Sequence, residues 1–203
     1  MKRNPLIIYL HGFNSSPLSF KARQLGQFLD KINCAHCYRV PALAIAPALA
    51  IKKIQKLILK HLNQCDITLI GSSLGGYYAT YLSEEYDLKA VHINPAIFPA
   101  TLLEDCLGTN ANFHTSELHQ LTHRHLEQLK NIETGSISKP EKHLVFLQTG
   151  DDTLDYRDAM NKFCHCNVQV EQGGTHGFEN FERIIPRIMT FSGMAAYADR
   201  PIK

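Results

Sequence analysis

The chain has 203 residues, and its hydrophobic content of 44% is sufficient to bury the core of one domain with a small insertion. Its 21 Lys and Arg residues nearly balance 19 Asp and Glu residues, so we expect no basic surface that follows a phosphate backbone and no nucleic-acid partner. The apolar run 6–10 is too short for the core of a signal peptide, and no run reaches the length of a membrane span, so we expect a cytoplasmic protein without membrane contact.

Cysteines and histidines are frequent enough to raise the question of a metal site. The chain has 6 cysteines, and Cys34, His36 and Cys37 are spaced like a zinc or dithiol motif. Cys164 and Cys166 are too close for the usual zinc knuckle, and neither cluster is framed by turn-forming glycines. We therefore expect reduced, buried structural thiols and neither a metal nor another cofactor.

Strands and helices alternate from the first residues onward. The continuous apolar run 5–10 predicts a strand buried on both faces, and Ser16 followed by Pro17 predicts the start of a helix. A short second strand is expected at 38–41, and a helix from Pro47 carries isoleucines on one face. The lysines on its other face are interpreted as a solvated surface and not as a binding patch.

A Gly-x-Ser-x-Gly motif at 71–75 joins a strand predicted at 66–70 to an amphipathic helix. In this context Ser73 is expected at a sharp strand-to-helix turn that lifts its hydroxyl above the sheet, next to the helix N-terminus. The alternative is a simple turn in which Ser72 or Ser73 only caps the helix. The rest of the chain favours the first interpretation, because an acid and then a histidine follow the serine in the order that this arrangement requires.

The regular alternation stops after the next strand. That strand is expected at 88–93 and ends at Asn94 and Pro95, and residues 96–139 contain no convincing strand. We expect this stretch to be a small helical cap inserted into a single domain that covers 1–203. The leucines of its predicted helix are Leu118, Leu121, Leu126 and Leu129.

The cap also contains four histidines. His119 and His123 are four residues apart and would share one face of a helix, with His114 and His125 nearby. The glutamate that follows the first histidine of the metalloprotease motif is missing. We therefore interpret these histidines as exposed polar residues and expect no metal at them.

Alternation resumes in the last third of the chain. Strands are predicted at 143–148 and 168–170, a helix at 156–164 lies between them, and Pro186 divides a final helical segment. Strands that alternate with helices favour parallel pairing through right-handed crossovers. The sequence therefore predicts an α/β fold, with a mostly parallel sheet of about six strands and helices on both faces.

Clusters of polar residues follow four of the predicted strands. The carboxyl ends of the strands form the edge where ligands bind in open α/β sheets. A serine hydroxyl needs a neutral imidazole to take its proton and a carboxylate to orient that imidazole. For Ser73 we predict His176 as the base, because it lies in a glycine-flanked loop after the last strand. Asp151 is the favoured acid and Asp152 the alternative, whereas Asp155 is expected to cap the next helix.

Two backbone N–H groups, those of Leu74 and Phe13, are predicted to hold an oxyanion. Loss of such a donor typically costs roughly 2.7–4 kcal/mol of transition-state stabilisation. His11 and Gly12 begin the same loop and are placed in the substrate site, with Gly12 allowing close approach and His11 as a structural hydrogen-bonding group. Four cap residues are predicted either to line an acyl pocket or only to pack the cap onto the sheet, namely Leu102, Leu103, Phe113 and Leu118.

The chain resembles the α/β-hydrolases, and within them it is similar to small bacterial esterases of the YqiA type, also called the UPF0227 family. The resemblance runs nearly end to end, and its most specific segments are YLHGFNSS at 9–16 and GSSLGGYYA at 71–79. The segments 93–96, 148–151 and 173–176 also match. The resemblance implies a minimal hydrolase sheet, hydrolysis of carboxylic esters, and Ser73, Asp151 and His176 as the triad.

The resulting hypothesis is a serine esterase that hydrolyses carboxylic esters of small acyl groups through an acyl-enzyme on Ser73, with His176 as the general base and no cofactor. A thioesterase that acts on acyl-coenzyme A with the same residues is the close alternative. The alternative from another class is a binding protein of hydrolase fold that senses a small ligand with negligible turnover. Oligomeric state and acyl length are not determined by the sequence.

Overall fold

A computed structural model of the protein describes residues 3–195. In that range the strands are β1 (Asn4–Leu10), β2 (Tyr38–Arg39), β3 (Cys65–Ser73), β4 (Lys89–Pro95), β5 (Gly108–Ala111), β6 (Leu118–Leu121), β7 (His143–Gln148) and β8 (Asn167–Glu171). The α-helices are α1 (Phe20–Lys31), α2 (Pro47–His61), α3 (Leu74–Tyr86), α4 (Pro99–Leu102), α5 (His123–Lys130), α6 (Tyr156–Lys162) and α7 (Ile185–Phe191). Short 3₁₀ turns occur at Ala35–Cys37, Glu104–Cys106, Pro140–Lys142 and Phe181–Ile184.

Six of the strands form one sheet in the order β2-β1-β3-β4-β7-β8, and every neighbouring pair is parallel. Parallel pairing requires a crossover between consecutive strands, and helices supply most of these crossovers. The predicted α/β fold, a mostly parallel sheet of about six strands covered by helices, is therefore confirmed. All carboxyl ends of the strands meet at one edge of the sheet, which is where the predicted polar clusters lie.

Helices cover both faces of the sheet, and successive side chains of β1 point alternately to the two faces. Leu6 and Ile8 point into a core shared with α2, α3 and α5, whereas Ile7 and Tyr9 point into a core shared with α1 and α7. Successive residues of a strand face opposite sides, so a strand that is apolar throughout must be covered twice. This explains why the central strands have continuous apolar runs.

Helix α1 begins later than its sequence predicts. Ser16 forms a turn instead, in which its Oγ accepts a hydrogen bond from the N–H of Leu18 at 3.1 Å and its carbonyl accepts one from Ser19 at 3.0 Å. The hydroxyl is used within the turn and does not cap a helix at Pro17. The shift places Lys21 in the first turn of α1.

The region predicted as a helical cap is partly a β-hairpin, so the expectation of no strand in 96–139 is wrong. Strands β5 and β6 pair antiparallel, and Leu118 and Leu121 lie on β6 while only Leu126 and Leu129 lie on α5. The Asn112 side chain accepts hydrogen bonds from the N–H groups of residues 114 and 115, which closes the turn between the strands. The three-residue spacing of Leu118 and Leu121 matches a helical period, so the sequence suggested a helix where the structure has strand β6.

The same correction applies to the histidines of the cap. His119 lies on β6 and His123 begins α5, so the two do not share a helix face. Within residues 3–195 no group of three or more His, Cys, Asp or Glu side chains is arranged to hold a metal ion. No helix in that range combines the length and the apolar character that a membrane span requires.

The prediction of buried thiols is only partly right. Cys34 and Cys37 are buried in the core beneath α1, but Cys164 is exposed and Cys166 is half-buried. Cys164 follows α6 in the turn before β8, where the chain runs over the surface.

Candidate active site

Ser73 lies on a strained turn between β3 and α3. Its backbone has φ 55° and ψ −125°, a region that residues with a side chain rarely adopt. The pairing of β3 with β4 shifts register between Ser72 and Ser73, and the carbonyl of Ser73 accepts a hydrogen bond from Ala96 at 3.1 Å. The strand therefore ends abruptly and turns the Ser73 side chain away from the sheet.

The glycines of the motif allow α3 to pack close to the sheet. A Cβ at Gly71 would collide with the carbonyl of Gly75, and a Cβ at Gly75 would collide with the carbonyl of Leu10 on β1. A Cβ at Gly76 would lie 2.6 Å from the Cβ of Pro95 on β4. Only glycine fits this close contact between a helix and two strands.

The structure brings the three predicted triad residues together. The Oγ of Ser73 lies 3.0 Å from Nε2 of His176, and Nδ1 of His176 lies 2.8 Å from Oδ2 of Asp151. Oδ1 of Asp151 accepts hydrogen bonds from the N–H groups of Thr153 at 2.9 Å and Leu154 at 2.8 Å. These two bonds fix the Asp151 side chain, which accepts the Nδ1–H of His176, so that Nε2 faces the hydroxyl of Ser73 as an acceptor.

The two neighbouring acids, Asp151 and Asp152, differ in the direction of their side chains. The side chain of Asp151 is 2% exposed and points inward to His176, whereas Asp152 is exposed and contacts the hydroxyl of Thr153. Asp155 caps α6 by accepting the N–H of Arg157 at 2.9 Å, as predicted. Asp151 is therefore the acid in contact with the histidine.

Two residues that sequence reasoning missed hold the histidine loop. Asn94, at the end of β4, donates its amide to the carbonyls of Thr175 at 3.0 Å and His176 at 3.3 Å. Gln148, the last residue of β7 and 2% exposed, accepts the N–H groups of Thr175 at 3.2 Å and Glu179 at 2.8 Å. The sequence signal that could have identified them is an amide side chain at the carboxyl end of a buried strand, because a buried amide requires hydrogen-bond partners.

The loop after β1 lies directly against Ser73. A Cβ at Gly12 would lie 3.1 Å from the Cβ of Ser73 and 3.5 Å from its Oγ, so the backbone next to Phe13 passes close to the Ser73 side chain. Leu74 is the first residue of α3, and its N–H therefore has no partner within the helix. Phe13 and Leu74 both line the cavity beside Ser73, and the role of their N–H groups as oxyanion donors remains a prediction.

His11 has a structural position in the same loop. Its Nε2 accepts the N–H of Leu43 at 3.1 Å, and its Nδ1 donates to the carbonyl of Gly12 at 3.1 Å. Burial lowers the pKa of His11, which matches the neutral ring that these two bonds require. The side chain ties the loop after β1 to the segment that precedes α2.

A cavity of about 410 Å³ opens beside Ser73 and His176. Its walls come from the β1 loop, α1 and the cap, and the cap residues that line it include Leu102, Leu103 and Phe113. Leu118 does not line it, because this side chain lies on β6 and is 69% exposed. Three of the four predicted cap residues therefore border the cavity, and the placement of Leu118 in the pocket is wrong.

A larger cavity of about 820 Å³ lies at the opposite edge of the sheet, between residues such as Asn4, Asp66 and Lys89. These residues stand at the amino ends of β1, β3 and β4, away from Ser73. Ligands of open α/β sheets bind at the carboxyl ends. The smaller cavity is therefore the candidate active site.

The architecture is that of the α/β-hydrolase fold, and several solved structures share it over most of this chain. Mouse alpha/beta hydrolase domain-containing protein 10 superimposes with a TM-score of 0.73 at 14% identity, covering 94% of this chain and 90% of its own. Est1E from Butyrivibrio proteoclasticus with bound ferulic acid gives 0.66 at 15% identity, covering 96% and 90%. A monoacylglycerol lipase from Paleococcus ferrophilus gives 0.63 at 15% identity, covering 94% and 97%.

Within this fold the chain belongs to the family described as Uncharacterised protein family (UPF0227), whose model matches residues 6–193. A UPF0227 protein from Shewanella woodyi is 29% identical over 194 residues, which cover 92% of this chain and 98% of that protein. A UPF0227 protein from Citrobacter koseri is 27% identical with the same coverage. The family resemblance inferred from the sequence is confirmed.

Proposed function

We propose that the protein is a serine esterase that hydrolyses carboxylic esters with small acyl groups. The observation that carries this proposal is the continuous contact from Asp151 through His176 to Ser73, at 2.8 and 3.0 Å. These distances fall within the range over which a general base can take a proton from a nucleophile. The cavity of about 410 Å³ beside Ser73 matches the size of sites that hold small organic ligands.

Acylation begins with proton transfer from the hydroxyl of Ser73 to Nε2 of His176. The Oγ forms a bond to the ester carbonyl carbon, and the carbonyl oxygen becomes an oxyanion facing the N–H groups of Leu74 and Phe13. The imidazolium, stabilised by Asp151, then gives its proton to the departing alcohol as the carbon–oxygen bond breaks. An acyl group remains on Ser73.

Deacylation repeats these steps with water as the nucleophile. His176 takes a proton from water, and the hydroxide attacks the acyl carbon. The imidazolium then returns that proton to Oγ of Ser73 as the acid leaves. The names of the superimposed proteins, among them Est1E with ferulic acid and a monoacylglycerol lipase, support this choice of reaction class.

The experiment is hydrolysis of p-nitrophenyl acetate, butyrate and octanoate, with fluorophosphonate labelling in parallel. Wild type should turn over the shorter esters and be labelled, and Ser73→Ala should lose both. Ser72→Ala, which removes the neighbouring hydroxyl, should still be labelled. Folding of each variant is checked by circular dichroism.

A comparison of oxygen esters with thioesters of the same acyl group tests the choice of substrate class. Esterase function predicts that hydrolysis of the oxygen ester has the higher kcat/KM. A clear preference for the thioester would replace the proposal by a thioesterase. A correctly folded wild type that is inert in turnover and labelling would indicate a binding protein.

A further inference from the structure

The cavity beside Ser73 contains one cationic side chain. Lys21, in the first turn of α1, lines the cavity together with Ser73 and His176, and it is the only Lys or Arg among the described residues that do so. Its Nζ donates a hydrogen bond of 2.7 Å to the carbonyl of Gly177, the residue after His176. The ammonium group is therefore next to the reacting centre.

This ammonium lacks an ionic partner in the part of the chain that the structure describes. No carboxylate of residues 3–195 forms an ion pair with Lys21, although the charge of Asp151 acts on it from further away. Burial lowers the pKa of Lys21 to about 8, so the group is still mainly charged at neutral pH. A partly buried cation without a paired anion is costly, which makes it a good position for a negatively charged ligand.

A second polar group of the same wall is also without a partner. Ser19 is the N-cap residue of α1, yet its side chain makes no capping bond. Its Oγ is buried and has no hydrogen-bond partner among the described residues, and Ser19 lines the same cavity as Lys21. One change of χ1 between staggered rotamers redirects such a hydroxyl. Buried polar groups without partners call for an explanation, and a ligand is one.

We propose that Lys21, assisted by Ser19, forms an anion subsite that makes the enzyme select esters carrying a free carboxylate group. This inference rests on the proposed esterase function and names its substrate class. An ammonium group has three donors, and the carbonyl of Gly177 occupies one of them. The others are available to the carboxylate oxygens of a substrate whose ester carbon lies at Ser73.

A carboxylate suits the site better than a phosphate monoester. One ammonium balances one negative charge, whereas a phosphate carries about −1.5 to −2 at neutral pH. The cap contributes apolar lining to the cavity, with Leu102, Leu103 and Phe113, and the charge of the buried Asp151 carboxylate already acts on Lys21. A second negative charge would therefore remain uncompensated.

A purely structural role makes a different prediction. If Lys21 only holds the histidine loop through Gly177, its loss displaces His176 and slows hydrolysis of every ester by the same factor. An anion subsite instead changes the ratio between charged and neutral substrates. That ratio is therefore the quantity to measure.

The experiment uses two matched pairs of esters. p-Nitrophenyl hydrogen succinate and its methyl ester differ by a charge on the acyl side, and 4-acetoxybenzoate and its methyl ester differ by a charge on the alcohol side. The ratio of kcat/KM for the charged to the neutral member is measured in wild type, Lys21→Met and Lys21→Arg. Lys56→Met removes an exposed lysine on α2 and is the matched control.

We expect the ratio for at least one pair to fall about tenfold or more in Lys21→Met, the size of a lost charge-assisted hydrogen bond. It should be largely retained in Lys21→Arg and unchanged in Lys56→Met. A ratio that is equal in wild type and Lys21→Met for both pairs would overturn the subsite. If wild type still hydrolyses the neutral esters through Ser73, esterase function survives that result, whereas an inert wild type overturns both.

Wild-type protein alone offers a second test if Lys21→Met does not fold. Two singly charged acids, succinamate and 4-hydroxybenzoate, are compared with the neutral amides succinamide and 4-hydroxybenzamide as competitive inhibitors of neutral-ester hydrolysis. At least one acid should inhibit at about tenfold lower concentration than its amide. Equal inhibition by acids and amides would contradict the proposal.

Discussion

At the scale of single residues, the strained backbone of Ser73 is the feature with most consequence. A conformation of this kind costs on the order of 1–3 kcal/mol and persists only where the surroundings enforce it. Here the close packing of Gly71 and Gly75 and the hydrogen bond from Ala96 do so. The strained turn directs Oγ toward Nε2 of His176 at 3.0 Å, so the fold accepts a local cost in stability to form this contact.

The choice of Asp151 over Asp152 is testable with one isosteric change. Asp151→Asn keeps the shape of the side chain but favours the wrong tautomer of His176 and removes the charge that stabilises the imidazolium. We expect kcat/KM to fall by about 10³- to 10⁴-fold, as for triads generally. Asp152→Asn, one residue away and exposed, should stay close to wild type in an assay with p-nitrophenyl butyrate. Equal losses in the two variants would contradict the assignment.

At the scale of elements, the β5–β6 hairpin positions the loop that follows β1. His119 on β6 donates to the side-chain oxygen of Asn14 at 2.7 Å, and the N–H of Phe113 donates to the carbonyl of Asn14 at 2.7 Å. The amide of Asn112 donates to the carbonyl of Ser15 at 2.8 Å. Asn14 has φ 53°, so the loop is held in a left-handed turn immediately after Phe13. The cap thus supports the predicted oxyanion site.

Removing this support should slow the chemical step. In His119→Ala we expect kcat to fall about tenfold with a smaller change in KM, because a displaced Phe13 N–H loses part of the 10²- to 10³-fold effect of an oxyanion donor. Gln120→Ala is the control, because the side chain of this neighbouring residue is exposed and donates a hydrogen bond to the hydroxyl of Thr109. A rise in KM with kcat unchanged would show that the hairpin serves binding and not the oxyanion loop.

At the scale of the whole molecule, the core contains a pair of histidines that link stability to pH. His92 is fully buried, stacks on His143 at a ring distance of 5.2 Å, and its Nε2 lies 3.0 Å from Nδ1 of His143. Nε2 of His143 in turn lies 3.2 Å from Glu84. Burial lowers the pKa of both rings, most strongly that of His92, so the pair is neutral in the folded protein.

The sign of the pH effect follows from the lowered pKa values. Below pH 6.5 the unfolded chain binds protons at His92 and His143 that the folded protein does not, so the free energy of unfolding falls as the pH falls. Each ring contributes up to about 1.4 kcal/mol per pH unit. Urea unfolding between pH 7.5 and 5 should show this slope in wild type and a shallower one in His92→Leu. His36→Gln removes an exposed histidine and should keep the wild-type slope; an unchanged slope in His92→Leu would contradict the linkage.

Much of the molecule was determined by short stretches of sequence. Short apolar runs such as 144–147 predicted strands buried on both faces, because a run of this length between turn-forming segments is typical of a strand and too short for a buried helix. The glycines around Ser73 specified the strand-to-helix turn, since only they allow such close packing. The serine, the acid and the histidine each follow a predicted strand. Because the carboxyl ends of parallel strands meet at one edge of the sheet, all three were expected there.

Tertiary structure decided what depends on segments far apart in the chain. The direction of Asp151 is set by its contact with His176, and the position of the loop after β1 is set by the contact of Asn14 with His119, 105 residues away. The sequence favoured a helix over a hairpin because the three-residue spacing of Leu118 and Leu121 matches a helical period, whereas on β6 it places one side chain in solvent and the other in the core. The contact of Lys21 with the carbonyl of Gly177 joins residues 156 positions apart and forms only when α1 packs against the loop after β8. Local periodicity specifies elements, whereas a charge or an amide acquires its partner only when distant elements pack together.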